Sequence, residues 1–173
     1  MTAETPAPTK LALLATVVCT GSSTAVFVAA RSDPVDAAFA AGFLWLFSAL
    51  FLVRVVGQLV VRVRQPAWLP PTEQWNLSPY RLLLPAQLLI LGVMVWVGVA
   101  FSRAHGLPVR PRPHLGEAVL VFAYVYAAVM AVRYLIRMTR RPAERWFGGT
   151  IPIVFHWVLA AYLYVLGSFH ASY

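Results

Sequence analysis

The sequence predicts an all-α protein, a polytopic transmembrane helical bundle of about five spans with its N-terminus in the cytoplasm. Three observations lead to this class. The chain of 173 residues is 60% hydrophobic and only 12% charged, whereas a soluble domain typically carries about 25% charged residues. Its apolar residues gather in runs of about 20, the length of helix that crosses a hydrocarbon core of about 30 Å. Arginines gather at the ends of these runs, as membrane topology requires.

The N-terminal part of the chain predicts a short tail followed by a retained first span. Residues 1–10 contain two prolines and a single cation, which predicts a flexible tail. The apolar run 11–30 is about 20 residues long, which is typical of a span rather than of the core of a cleaved signal. Its small residues Ala15, Cys19 and Ser23 recur every four positions. This spacing predicts that the span packs against another helix, in this chain or in another.

Prolines and acidic residues mark the ends of the spans that follow. Asp33 and Pro34 break the chain after the first span, and Asp36 suits the positive N-terminal end of the second helix. Pro85 and Pro152 fall in the first turns of the third and fifth spans, where a missing N–H has little effect. These marks divide residues 11–173, a single transmembrane helical domain, into five spans: about 11–30, 35–63, 81–103, 115–138 and 151–169.

The distribution of cations predicts the orientation. Five spans place ten Lys and Arg residues toward one side and four toward the other, and the richer side faces the cytoplasm. We therefore expect the N-terminus inside and the C-terminus outside. The Ala-, Arg-, Val- and Leu-rich composition indicates the inner membrane of a bacterium. The net charge of +8 belongs to this topology signal and does not indicate nucleic acid.

Arginines inside two spans predict a ligand site near the cytoplasmic side. Arg54 and Gln58 lie in the second span, and Arg133 and Arg137 in the fourth, with each pair four residues apart on one helix face. Snorkelling explains arginines at the end of a span, but Arg54 lies about 12 Å deeper than Arg62 along the helix axis. We expect Arg54 and Arg133 to face one another across a polar pocket. Its ligand would be an anionic lipid head group or a quinone-like molecule.

The second and third spans resemble the fourth and fifth in the order of their features. Each pair has a ladder of arginines, a proline, a tryptophan and a short loop, followed by a span with an early proline. This order predicts a tandem repeat of two helical hairpins.

Histidines near the predicted outer face indicate a second kind of site. His105, His114 and His170 fall near the outer ends of the third, fourth and fifth spans, and Glu117 lies one turn after His114. Imidazole and carboxylate groups at one depth suit a divalent metal such as Zn or Cu, and two imidazoles would hold a haem b between helices. His156 lies 14 residues before His170. No other histidine at that end pairs with it, which disfavours a cytochrome with two haems.

The sequence has no catalytic motif and no acidic residue in the middle of a span. No P-loop, G-x-S-x-G, H-E-x-x-H or C-x-x-C is found, and coupled transport usually requires intramembrane carboxylates. We therefore expect a non-enzymatic subunit, anchor or assembly factor of a larger membrane complex, in contact with membrane lipids and other subunits. Two alternatives stay open: a haem- or metal-binding redox protein, and a binding protein for an anionic lipid or quinone-like ligand.

Overall fold

Five α-helices form the part of the protein that a computed structural model describes, residues 6–64, 66, 69, 80–103, 109–140 and 150–173. They are α1 (Ala7–Ala30), α2 (Ala37–Arg64), α3 (Tyr80–Ser102), α4 (Pro113–Arg140) and α5 (Ile151–Ala171). Each is long and apolar enough to cross a membrane. The all-α class and the five apolar helices are therefore confirmed, whereas the orientation and the tandem repeat stay predictions.

The helices begin and end within a few residues of their predicted positions. The largest difference is at α1, which begins at Ala7, so that residues 7–10 of the predicted tail are helical. Pro8 lies in the first turn, where its missing N–H would have no partner within the helix. The start of α2 is capped by Asp36, whose Oδ1 accepts a hydrogen bond of 2.8 Å from the backbone N–H of Phe39.

α5 lies at the centre of the bundle. In its most apolar stretch 67% of the residues are buried, against 44% in α2 and 17% or less in α1, α3 and α4. It packs along α4, α2 and α1. Its Tyr162 hydroxyl donates a hydrogen bond of 3.0 Å to the carbonyl oxygen of Met94 in α3. α5 therefore contacts each of the other four described helices.

α4 and α5 cross at short distance because glycines occupy the crossing. Gly116 lies on the buried face of α4, and a Cβ placed on it would stand 2.3 Å from the backbone nitrogen of Ala171. A Cβ on Gly167 of α5 would stand 3.0 Å from the backbone nitrogen of Leu120. Small residues at a crossing let two helix backbones approach closely. The α4–α5 hairpin therefore depends on the absence of side chains at these two positions.

α1 packs against α5 and α2, through a face beside the predicted small-residue stripe. Ala15 of that stripe is exposed, and Cys19 and Ser23 are half-buried. The buried face is set by Phe27, whose ring meets those of Phe39, Phe43 and Tyr164 with centroids 5.3–6.1 Å apart. Large interlocking rings make more dispersion contacts than small side chains do. The buried residues of α1 are accordingly Thr9, Leu13, Thr20 and Phe27.

α3 and α4 stay apart. In the described part of the chain, no Cα atom of α3 comes within 8 Å of one in α4, and the same holds for α2 and α4. α3 instead packs along α2, and α4 along α5, while α2 and α5 pack on each other. The packed helices α2 and α5 therefore lie between α3 and α4. The candidate site lies in the gap between α3 and α4, against α2 and α5.

Candidate functional site

A cavity of about 150 Å³ lies in the gap between α3 and α4. We call it the arginine cavity. It lies in the half of the bundle nearer to the arginine-rich end, which carries Arg62 and Arg64 of α2 with Arg137 and Arg140 of α4. Four different helices contribute its polar side chains: Arg54, Gln87, Arg133 and His156. Apolar side chains form most of the remaining walls: Phe51, Leu83, Ala86, Ile90, Phe155 and Leu159. A cavity of this size holds a benzene-sized ring or a head group.

Arg54 is a buried cation, 6% exposed, with no carboxylate partner among the described residues. Its Nη1 donates a long hydrogen bond of 3.4 Å to the carbonyl oxygen of Ile151. Its guanidinium carbon lies 5.4 Å from the ring centroid of Phe155, a cation–π contact of about 0.5–2 kcal/mol. These two contacts leave most of its five N–H donors for the cavity. Two acidic residues in the loops after α2 and α4, Glu73 and Glu144, lie outside the described residues.

The structure brings Arg54 and Arg133 to the same cavity. Arg133 lines the cavity from α4 and is exposed, whereas Arg54 lines it from α2 and is buried. No Cα atom of α2 comes within 8 Å of one in α4 among the described residues, and the two side chains reach the cavity from these separate helices. Two like charges across an apolar cavity repel each other unless an anion lies between them. The arrangement is therefore suited to an anionic group.

Gln58 and Arg137, the other two residues of the predicted pocket, do not line the cavity. Gln58 is fully buried, and neither its Oε1 nor its Nε2 has a hydrogen-bond partner among the described residues. Arg137 is half-buried and lies one turn beyond Arg133 toward the arginine-rich end. Four residues advance a helix by about 6 Å along its axis. This advance carries both side chains past the cavity.

His156 is held in place by a tyrosine. The hydroxyl of Tyr126 in α4 forms a hydrogen bond with Nδ1 of His156 in α5. The two rings also pack edge to face, with centroids 5.6 Å apart. These contacts fix the plane of the imidazole and leave Nε2 as the ring nitrogen that is free to meet a ligand. Because His156 lines the arginine cavity, its position favours this site over the haem or metal role considered from the sequence.

Gln87 is a polar residue of the site that sequence reasoning missed. It is 5% exposed, and its Oε1 has no hydrogen-bond partner among the described residues. A buried polar atom without a partner costs about 1–3 kcal/mol, which a ligand in the cavity would offset. The hydrogen bond between Tyr126 and His156 was not predicted either. The sequence contains a signal for each residue: Gln87 is an amide inside an apolar run, and Tyr126 lies two turns before Arg133 on the same helix face.

The predicted metal or haem site at the other end of the bundle is not assembled among the described residues. His105 lies outside them. His114 and Glu117 are exposed, whereas His170 is buried beside the ring of Phe101, with centroids 6.2 Å apart. No three His, Cys, Asp or Glu side chains come together in the described part of the chain. A divalent metal or haem b at these residues stays a prediction.

The fold and the cavity define a class. Five apolar helices are compatible with a small integral membrane protein, here one whose largely apolar side cavity is lined by four polar side chains. Comparisons with protein-family models, with curated proteins and with solved structures find no match. The role of the protein is therefore argued from the site.

Proposed function

We propose that the protein binds an amphipathic membrane ligand with an anionic head group in the arginine cavity. The observation that supports this most is the buried guanidinium of Arg54, which borders a cavity and has no carboxylate partner among the described residues. A charge in the middle of a membrane helix costs on the order of 2.5–3.5 kcal/mol. A bound anion offsets this cost, and an empty or apolar cavity does not.

The position of the cavity favours a ligand that arrives from the membrane. The cavity lies in the gap between α3 and α4, and Ile90 at its apolar edge is 39% exposed. A head group can therefore reach Arg54 while its tail stays beside the bundle. A quinone-like ligand also fits apolar walls, but it is neutral and leaves the charge of Arg54 uncompensated. The anionic head group is accordingly preferred.

The proposal includes a location, the inner membrane of a bacterium, with the N-terminus of α1 in the cytoplasm. It is supported by the arginines at the ends of α2 and α4, because cytoplasmic ends carry the excess of Lys and Arg. The arginine cavity then lies in the cytoplasmic half of the bilayer.

Arg54→Gln tests the proposed function. Wild-type protein purified in mild detergent is expected to retain an anionic lipid that mass spectrometry detects, and the variant at least tenfold less. A hydrogen bond to a charged group contributes about 1.5–3 kcal/mol, which is about a factor of 10 to 150 in affinity. Arg140→Gln makes the same change at an exposed site outside the cavity and should retain the wild-type amount. Equal retention by the two folded variants contradicts the proposal.

A second candidate function, that of a subunit, anchor or assembly factor of a membrane complex, is favoured by the outward face of α1. Small residues are exposed there, opposite the buried Leu13, Thr20 and Phe27. Outward small residues are typical of a helix that packs against another helix in the membrane, because a lipid-facing surface has no need of them. We call this set the α1 stripe: Ala15, Ser22, Ala25 and Ala29.

Ser22→Leu tests the second candidate by placing bulk in the middle of the α1 stripe. Cross-linking in native membranes, followed by mass spectrometry, should identify a partner that the variant loses, because a larger side chain keeps the two backbones apart. Val18→Leu enlarges a residue of the same face that is already large and should keep the partner. If Ser22→Leu keeps every partner of the wild type, the α1 stripe is not the contact.

A further inference from the structure

We propose that the arginine cavity selects a lipid phosphate monoester, and that Tyr126 acts through His156 to position the phosphate. This assignment rests on the proposed function, since it names the head group of the same ligand. The charges at the cavity, the helices that supply its donors, the buried amide of Gln87 and the shape of the gap support it.

The charge at the cavity matches a dianion. Arg54 and Arg133 bring two positive charges, and no described carboxylate lines the cavity. A phosphate monoester carries about −1.5 to −2 near neutral pH, whereas a phosphodiester or a carboxylate carries about −1. A monoanion compensates the buried Arg54 and leaves the charge of Arg133, which is exposed, unpaired beside it. The monoester compensates both.

The donors at the cavity also match the three terminal oxygens of a monoester. They come from three sides: Arg54 from α2, Arg133 from α4 and His156 from α5. Tyr126 donates its hydroxyl proton to Nδ1 of His156 in the proposed arrangement. The neutral ring then carries its own proton on Nε2 and donates it to a phosphate oxygen. Tyr126 is thus a positioning residue, which selects the tautomer of its neighbour.

The buried amide of Gln87 supports a polar ligand in the cavity. Its Oε1 is unpartnered among the described residues, and the side chain borders the cavity from α3. A half-turn of the amide places its N–H₂ at this position, where it donates to an oxygen of the dianion.

The shape of the site places the head group of a lipid inside the cavity and its alkyl chain outside it. The cavity of about 150 Å³ has room for a phosphate and its first carbons, but not for an alkyl chain. On the side away from the arginine-rich end it is bordered by Ile90 and Leu159, both apolar. An alkyl chain continues past these residues into the gap between α3 and α4. The site therefore favours a lipid phosphate over free phosphate.

The test uses the full chain in nanodiscs of zwitterionic phosphatidylcholine and follows the melting temperature as a guest is added. The guests are dioleoyl phosphatidic acid as a monoester, dioleoyl phosphatidylglycerol as a diester, oleate as a carboxylate, and inorganic phosphate. We expect phosphatidic acid to bind at least about tenfold more tightly than the other three, because it alone combines a dianion with a tail. If phosphatidylglycerol binds as tightly as phosphatidic acid, the preference for a phosphate monoester is wrong. If inorganic phosphate binds as tightly as phosphatidic acid, the preference for a lipid is wrong.

The same titrations distinguish a failure of the phosphate monoester from a failure of the proposed function. If oleate binds as tightly as phosphatidic acid and Arg54→Gln abolishes both, the proposed function stands and the phosphate monoester is wrong. If no guest binds, or if Arg54→Gln leaves all binding unchanged, the proposed function itself is wrong.

Tyr126→Phe keeps the ring and removes the hydroxyl, and so tests the positioning role. We expect the affinity for phosphatidic acid to fall about three- to tenfold, as for the loss of a neutral hydrogen bond. The ¹⁵N resonances of His156 should also shift toward a mixture of tautomers. Tyr124→Phe, at an exposed position of the same helix, is the matched control and should change neither. An unchanged His156 spectrum together with an unchanged affinity in Tyr126→Phe overturns the positioning role.

Discussion

Gly116→Ala is expected to lower the melting temperature of the protein by roughly 2–12 °C. The new Cβ would stand 2.3 Å from the backbone nitrogen of Ala171 and 2.6 Å from the carbonyl carbon of His170. Because both are backbone atoms, no side-chain rotation relieves the clash, and α4 and α5 must separate. Overpacking of this kind costs about 1–3 kcal/mol. In a chain of this length each kcal/mol lowers the melting temperature by about 2–4 °C.

Gly92→Ala is the matched control, because Gly92 is also helical but has nothing within 4 Å of the position of a Cβ. Alanine favours a helix over glycine by up to about 1 kcal/mol, so this variant should melt at or slightly above the wild-type temperature. Circular dichroism during heating in one detergent compares the two. A Gly116→Ala protein that melts with the wild type means that α4 and α5 do not approach as closely as described here.

Arg54→Met is expected to stabilise the ligand-free protein while it abolishes ligand binding. Methionine replaces the buried guanidinium with an apolar side chain that fills much of the same space. It removes a charge that costs about 2.5–3.5 kcal/mol in a membrane helix and gives up a cation–π contact of about 0.5–2 kcal/mol with Phe155. The net gain of about 0.5–3 kcal/mol corresponds to a rise in melting temperature of roughly 1–12 °C. Stability and binding then change in opposite directions, as they do where a site is strained for its function.

The measurement requires protein stripped of lipid, because a bound anion stabilises the wild type alone. Arg140→Met makes the same substitution at an exposed position and should leave both quantities unchanged. A fall in the melting temperature of Arg54→Met assigns the guanidinium to the structure instead, where its contacts with Phe155 and the carbonyl of Ile151 hold α2 on α5.

Depth within the bundle was predictable, whereas rotation about each helix axis was not. Counting 1.5 Å per residue places Arg54 and Arg133 at similar depths, and the structure has both at one cavity. The same counting does not show that α3 lies beside α2 and apart from α4. Gln87 is conspicuous in its apolar run, but only the packing of α3 shows that it borders the arginine cavity. The pairing of Tyr126 with His156 likewise depends on how α4 and α5 are turned toward each other.

Histidines at the other end show the same limit. His114 and His170 lie at similar depths, yet the first is exposed and the second is buried. A similar depth in the bundle therefore does not by itself bring two histidines together at one metal or haem.

Glycines are equally ambiguous in the sequence. Gly92 and Gly116 both look like tolerated glycines in apolar helices, and only the neighbouring backbone distinguishes the open position from the crowded one. Small residues indicated packing at α1, where large rings determine the buried face. The tightest crossing lies between α4 and α5, in two segments whose glycines are isolated.

α5 is synthesised after the four helices that it holds together. Arg54 lies 97 residues before Ile151, the residue whose carbonyl it contacts. At about 5–20 residues per second, α2 spends roughly 5–20 s in the bilayer before α5 follows it. During that interval α5 is not yet present to line the cavity. The guanidinium of Arg54 therefore has neither Phe155 nor Ile151 beside it. The bundle is therefore completed only after the last of its five described helices has been synthesised, and until then Arg54 lacks both of these contacts.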